Sequence, residues 1–138
     1  MSDPKQMSNA QFLAAFLDAS MPAAGFDHYG HLRAAWLLLQ REPLERAVSD
    51  TCEAIARLAA RLGVPGKYHR TLSEALVRLM AEGGGADPVL SWDDFLVANG
   101  ELVNDARAVL ARYYSASLLN SPAARERFLP PDRQPLPS

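Results

Sequence analysis

Three histidines, His28, His31 and His69, have the most chemically suggestive placement in this sequence. Neutral imidazole ligates zinc, copper, iron or nickel, and its proton exchanges near neutral pH. His28 and His31 stand three apart, so on a helix both rings leave neighbouring points of one face. Brought together with His69, they would supply the three protein ligands of an open metal site, with the fourth position left for water or substrate. Asp27, four residues before His31, would orient an imidazole from behind. Tyr29 and Tyr68 each adjoin a histidine, and Arg33 follows two residues after His31; these would contact a bound molecule at the same mouth. Without a metal, a neutral histidine there would serve as general base. The plainer reading is that histidines near helix starts are hydrogen-bonded packing residues, and that Asp27 is a helix cap. Neither a His-Glu-x-x-His nor a cysteine ligand pattern strengthens the metal reading.

The elements that must position these residues are helices. The chain has one isoleucine, two threonines and seven valines, while alanine, leucine, arginine and glutamate dominate. Those are strong helix formers, and no stretch alternates apolar and polar residues long enough to make a strand. The expected fold is an all-α bundle of five or six helices. Ser8 with Gln11 forms a capping box for a helix from about Asn9 to Asp18. Asp27 caps a second helix to about Arg41, with Leu32, Ala35, Trp36 and Leu39 inward. Pro43 opens a third, and Gly63 ends it. The fourth runs from near His69 to Glu82, stopped by Gly83–Gly85. Ser91 starts a short helix ending at Asn99-Gly100, another continues to about Tyr114, and Ser121-Pro122 signals a last one through Phe128. Residues 1–128 read as one helical domain and 129–138 as an extended tail, since four prolines fall in its ten residues. If consecutive helices are antiparallel, the second and fourth share an end, which puts His69 near His28 and His31.

Composition removes several classes of function. The net charge is −2, so the electrostatic case for nucleic-acid binding is missing. No apolar run approaches the roughly 18 residues of a membrane helix. One cysteine cannot form an internal disulfide, and Cys52, with no basic partner close in sequence, reads as a packing residue. The N-terminus lacks the basic start and long apolar segment of a secretory peptide, so the expected location is cytoplasmic.

Three segments carry a resemblance. Phe26-Asp27-His28-Tyr29-Gly30-His31-Leu32-Arg33-Ala34-Ala35-Trp36 follows F-x-H-x-x-H-L-R-x-A-W, and Lys67-Tyr68-His69-Arg70-Thr71 follows K-Y-H-x-T. With the Pro-rich ending from Ser121-Pro122 through Pro131 and Asp132, they make the chain resemble small bacterial all-helical proteins. The resemblance implies that the histidine segments belong together, and it brings no reaction, cofactor or catalytic residue with it. The leading expectation is therefore a pocket lined by His28, His31, His69, Tyr29, Tyr68 and Arg33, holding a transition metal ion or a small polar ligand. The alternative is a non-catalytic interaction module or homo-oligomer that docks a partner through its Pro-rich tail or an apolar helix face.

Overall fold

Most of the helices begin at a side chain on the residue just before their first turn, which accepts a backbone N–H of that turn. The computed structural model describes residues 3–137, and among them the regular structure is all helical, with nine α-helices and no strand. Helix α1 (Asn9–Leu17) opens on the full capping box of Ser8 and Gln11. Helix α2 (His28–Leu39) opens on Asp27, whose Oδ1 accepts the Gly30 N–H at 2.8 Å. Helix α3 (Leu44–Arg61) follows Pro43, and the chain leaves it through Gly63 at φ 77°, the left-handed conformation a helix exit favours. Helix α4 (Arg70–Met80) runs into a wide π-type turn over Ala81–Gly85. Helices α5 (Trp92–Ala98), α6 (Gly100–Asn104), α7 (Ala106–Leu110), α8 (Ala116–Leu119) and α9 (Pro122–Glu126) complete the chain.

Five of the nine, α1 to α5, are seven residues or longer, in line with the bundle of five or six helices read from the sequence, and the four short ones arise for local reasons. The run expected to be one helix to Tyr114 breaks at Asp105, which leaves helical geometry (φ −150°, ψ 64°) and turns its carboxylate onto the Ala108 N–H. An Asp side chain competes with the backbone for that N–H, so it starts a new helix instead of continuing the old one. Ser115 does the same for α8, which the sequence reading did not anticipate.

Helices α2, α3 and α4 form the centre. Arg78, late in α4, reaches Glu45 at the start of α3, while Leu72 and Ser73, early in α4, share a wall with Thr51 and Ile55. On the other side Ile55 lies by His31, at the start of α2. Consecutive helices are therefore antiparallel, α2 and α4 run the same way, and their N-termini share one end, as the parity argument required. Phe12 and Phe16 of α1 close one flank against Met21, Phe26, Ile55 and Leu58. Phe95, Leu102 and Leu110 of the later short helices close the other against Leu38, Leu39 and Met80. Trp36, expected inside, is only half-buried.

The Pro-rich tail is strapped to its own chain. The Thr71 hydroxyl donates to the Arg127 carbonyl (2.8 Å) and accepts from the Leu129 N–H (3.1 Å). The Tyr114 hydroxyl donates to the Leu129 carbonyl at 2.8 Å, and the Arg133 N–H donates to the Tyr113 carbonyl at 2.9 Å. Asp132 accepts from both the N–H and the hydroxyl of Ser115. Proline lacks a backbone donor, so this segment takes side-chain partners in place of a helical ladder.

Candidate ligand pocket

The shared end of α2 and α4 does hold all three histidines, but their rings take separate tasks. His28 is exposed, and its Nε2–H donates to the Leu102 carbonyl of α6 at 3.2 Å. His69 is the N-cap of α4: its Nδ1 accepts the Leu72 N–H at 3.0 Å, and its Nε2–H donates to the Leu119 carbonyl of α8 at 2.7 Å. Both ring nitrogens are therefore committed to the backbone, and the ring is the neutral tautomer protonated on Nε2. His31 turns inward between the rings of Phe26 and Phe16, with centroids 4.9 and 6.2 Å away. Burial, followed by the neighbouring His28, pushes its pKa down to about 4. Among the described residues no group of three histidine, cysteine or acidic side chains could hold a metal ion. The expected ligand triad of His28, His31 and His69 is corrected accordingly: the topology delivers the backbones to one end, but cap geometry and packing point the rings apart. Asp27 likewise serves as the α2 cap.

Replacing His69 by alanine is expected to cost about 2 kcal/mol, roughly one for the cap and one for the bond to α8. Asparagine, a good N-cap, should recover about half of that loss. Urea unfolding midpoints at constant m check both values.

The larger concavity lies on the outer side of α2. It has a volume of about 560 Å³ and is lined by Lys5, Asn9, Asp27, Tyr29, Arg33 and Trp92. Two of the expected contact residues, Tyr29 and Arg33, are therefore in it, while His28, His31, His69 and Tyr68 are not. The aromatic wall is built by Trp92, whose indole N–H donates to the Tyr29 hydroxyl at 2.9 Å, with the two rings edge to face. Since that hydroxyl accepts from Trp92, its own proton remains able to donate to a ligand. Trp92 also packs on Trp36 and stacks on Phe95, which fixes the wall to the core.

Arg33 joins the pocket to the N-terminal segment. Nη1 donates to the Pro4 carbonyl (3.1 Å), and Nη2 donates to the Met7 carbonyl (2.8 Å) and to Asn9 Oδ1 (3.1 Å). The guanidinium lies 4.3 Å over the Phe12 ring, and partial burial lowers its pKa from the usual value without discharging it. With three of its five N–H groups used, Nε and one Nη1 proton remain for a ligand. Gly30 lets the first turn of α2 settle against the preceding loop, because a Cβ there would lie 2.1 Å from the Gly25 carbonyl oxygen.

Sequence reasoning missed Lys5, Asn9 and Trp92 as pocket residues. Lys5 arrives through a 3-10 turn (Pro4–Gln6) capped by Asp3, and Asp-Pro was the local signal for that turn. Nothing near Trp92 in sequence signals its pairing with Tyr29, which lies 63 positions away. Tyr68 instead packs on both core clusters, where burial pushes its pKa up. Cys52 is fully buried and its thiol is pushed up to about 11, so it stays protonated and inert at neutral pH. Glu101 is ion-paired with Arg112.

No protein-family model matches this chain, and no curated protein or solved structure matches it. No helix among the described residues is long and apolar enough to cross a membrane.

Proposed function

We propose that this protein binds a small anionic molecule with a flat, apolar body in the pocket on the outer face of α2. The observation that carries the reading is the pairing of two cationic side chains, Lys5 and Arg33, with the Tyr29–Trp92 aromatic wall in one concavity of ligand size. A planar ring would lie against the indole and phenol, while a carboxylate or phosphate group would take the ammonium and the free guanidinium donors. Of the pocket's three formal charges, two are positive and one, Asp27, is negative. Asp27 spends Oδ1 on the α2 N-terminus, which tempers its repulsion of an anion. The small-polar-ligand part of the expectation is thus kept but moved from the histidines to the opposite face of the same helix. The alternative docking role loses support from the Pro-rich tail, because that segment is hydrogen-bonded to Thr71 of α4 and to Tyr113, Tyr114 and Ser115 between α7 and α8.

Tryptophan fluorescence tests this directly, because Trp92 forms the pocket wall. Benzoate and phenyl phosphate are expected to alter the emission saturably, and benzylamine, of similar shape but opposite charge, is not. Lys5→Glu should weaken benzoate by about tenfold, equivalent to about 1.4 kcal/mol. Equal response to benzylamine and benzoate, or no dependence on Lys5, would remove the anion assignment.

A further inference from the structure

Between α2, α3 and α4 lies a small recess of about 10 Å³, walled by His31, Thr51, Ser73, Ile55, Leu72 and Met80 among others. Two of its wall residues each carry a polar atom that is sealed from solvent and without a hydrogen-bond partner among the described residues: Nε2 of His31 and Oγ1 of Thr51. Thr51 is 1% exposed, and Ser73, on the same wall, is buried as well. The rest of the lining is aliphatic. Buried polar groups in folded proteins are almost always paired, so two orphans on residues that line one recess point to a common ligand.

We propose that this recess is a built site for one ordered water, hydrogen-bonded to His31 Nε2 and Thr51 Oγ1, with the Ser73 hydroxyl as third partner. The size sets the ligand, since a volume near 10 Å³ suits a single water and nothing larger. The chemistry agrees. Water donates and accepts at once, so it satisfies a neutral imidazole nitrogen in either tautomer while also serving a hydroxyl, which has both functions itself. A cation of similar size would lack a compensating carboxylate among these wall residues. The water would tie the three central helices together at a level where their contacts are otherwise apolar. It also supplies a reason for a histidine and a threonine to face a hydrocarbon core. This site is separate from the ligand pocket, and neither inference depends on the other.

A high-resolution crystal structure, paired with water–protein NOE measurements in solution, tests the site. The expected result is a density peak about 2.7–3.2 Å from both His31 Nε2 and Thr51 Oγ1, with NOEs from a long-lived water to the Thr51 methyl. Thr51→Val, which keeps the shape but removes the hydroxyl, should abolish both the peak and the water NOEs to the methyls at this position, and Thr51→Ser, which has no methyl to report an NOE, should retain the density peak. Two results would overturn the proposal: a wild-type protein with no peak, its Thr51 hydroxyl bonded to the preceding helical turn, or a peak undiminished in Thr51→Val. Because the wild type decides the first point alone, failure of the valine variant to fold would not shield the idea.

Discussion

Replacing Glu74 by alanine is expected to destabilise the fold by about 3–5 kcal/mol, the largest loss foreseen for any single side chain here. Glu74 sits in the middle of α4 at 5% exposure, with Arg70 one turn before it and Arg78 one turn after. Its Oε1 accepts from Nε (3.1 Å) and Nη2 (2.8 Å) of Arg70, and its Oε2 from Nε (3.1 Å) and Nη2 (3.0 Å) of Arg78. Arg78 continues outward to both oxygens of Glu45 on α3, each at 2.9 Å, and faces the ring of Phe128, the residue before the tail. One carboxylate thus holds two guanidinium groups that are themselves mostly shielded from water, and through them it links α3, α4 and Phe128 at the root of the tail. Deleting it leaves two like charges facing each other across a buried gap, with only Arg78 keeping an anionic partner. The penalty is that of an uncompensated buried charge and far exceeds what a surface ion pair contributes. Denaturant unfolding measures it, and a double-mutant cycle with Arg70→Met separates the coupling from the burial of the remaining cation. A loss below about 0.5 kcal/mol would mean that the network is held together by packing alone.

Acid should weaken the protein through His31 by about 3 kcal/mol between pH 6.5 and about 4. The folded chain keeps this ring neutral because charging it means desolvating an imidazolium among Phe16, Phe26 and the aliphatic wall, next to His28. In the unfolded chain the ring protonates near its ordinary value of 6.5. Over that window the unfolded state binds the extra proton, so the contribution is complete above pH 6.5, shrinks as the pH falls, and is fully lost below about 4. Asp27 opposes the trend by favouring the charged ring, and Lys67 adds to it. Carboxylates such as Asp132, whose pKa the Ser115 hydrogen bonds hold down, also lose stabilisation at acid pH, so the slope must be assigned by difference. His31→Leu, similar in volume and unable to titrate, should show a flatter stability profile than the wild type across pH 4–6.5. An NMR titration of the His31 ring with its midpoint near 6.5 would contradict the assignment.

The parts of the fold that were legible beforehand are those governed by chemistry within about four residues. Ser8 with Gln11, Asp27, Ser91 and Ser121-Pro122 all start helices where their side chains said they would, because a cap needs only an oxygen and an N–H two or three positions away. Gly63 ends α3 for an equally local reason. Asp105 and Gly83–Gly85 show where local signals run out. Asp105 breaks the run read as one helix to Tyr114 and caps a new one, and the glycines extend the turn, with Gly84 at φ 98°, instead of simply stopping the helix. Parity put the starts of α2 and α4 at one end without any coordinates.

Ring direction was not legible. His69 carries its imidazole to Leu119, 50 positions on, and His28 carries its own to Leu102, 74 positions on. No property of a histidine's neighbours encodes which distant carbonyl its nitrogen will find. The ligand pocket repeats the point, since Lys5, Tyr29, Arg33 and Trp92 come from three stretches whose spacing has no period. The amino-acid order by itself determined the all-helical class, most helix starts and the orientation of the central three. Only tertiary packing decided that the histidines separate and that aromatic and cationic side chains converge outside α2. Helix periodicity and capping are short-range, whereas a site is set by the relative rotation of whole helices about their axes.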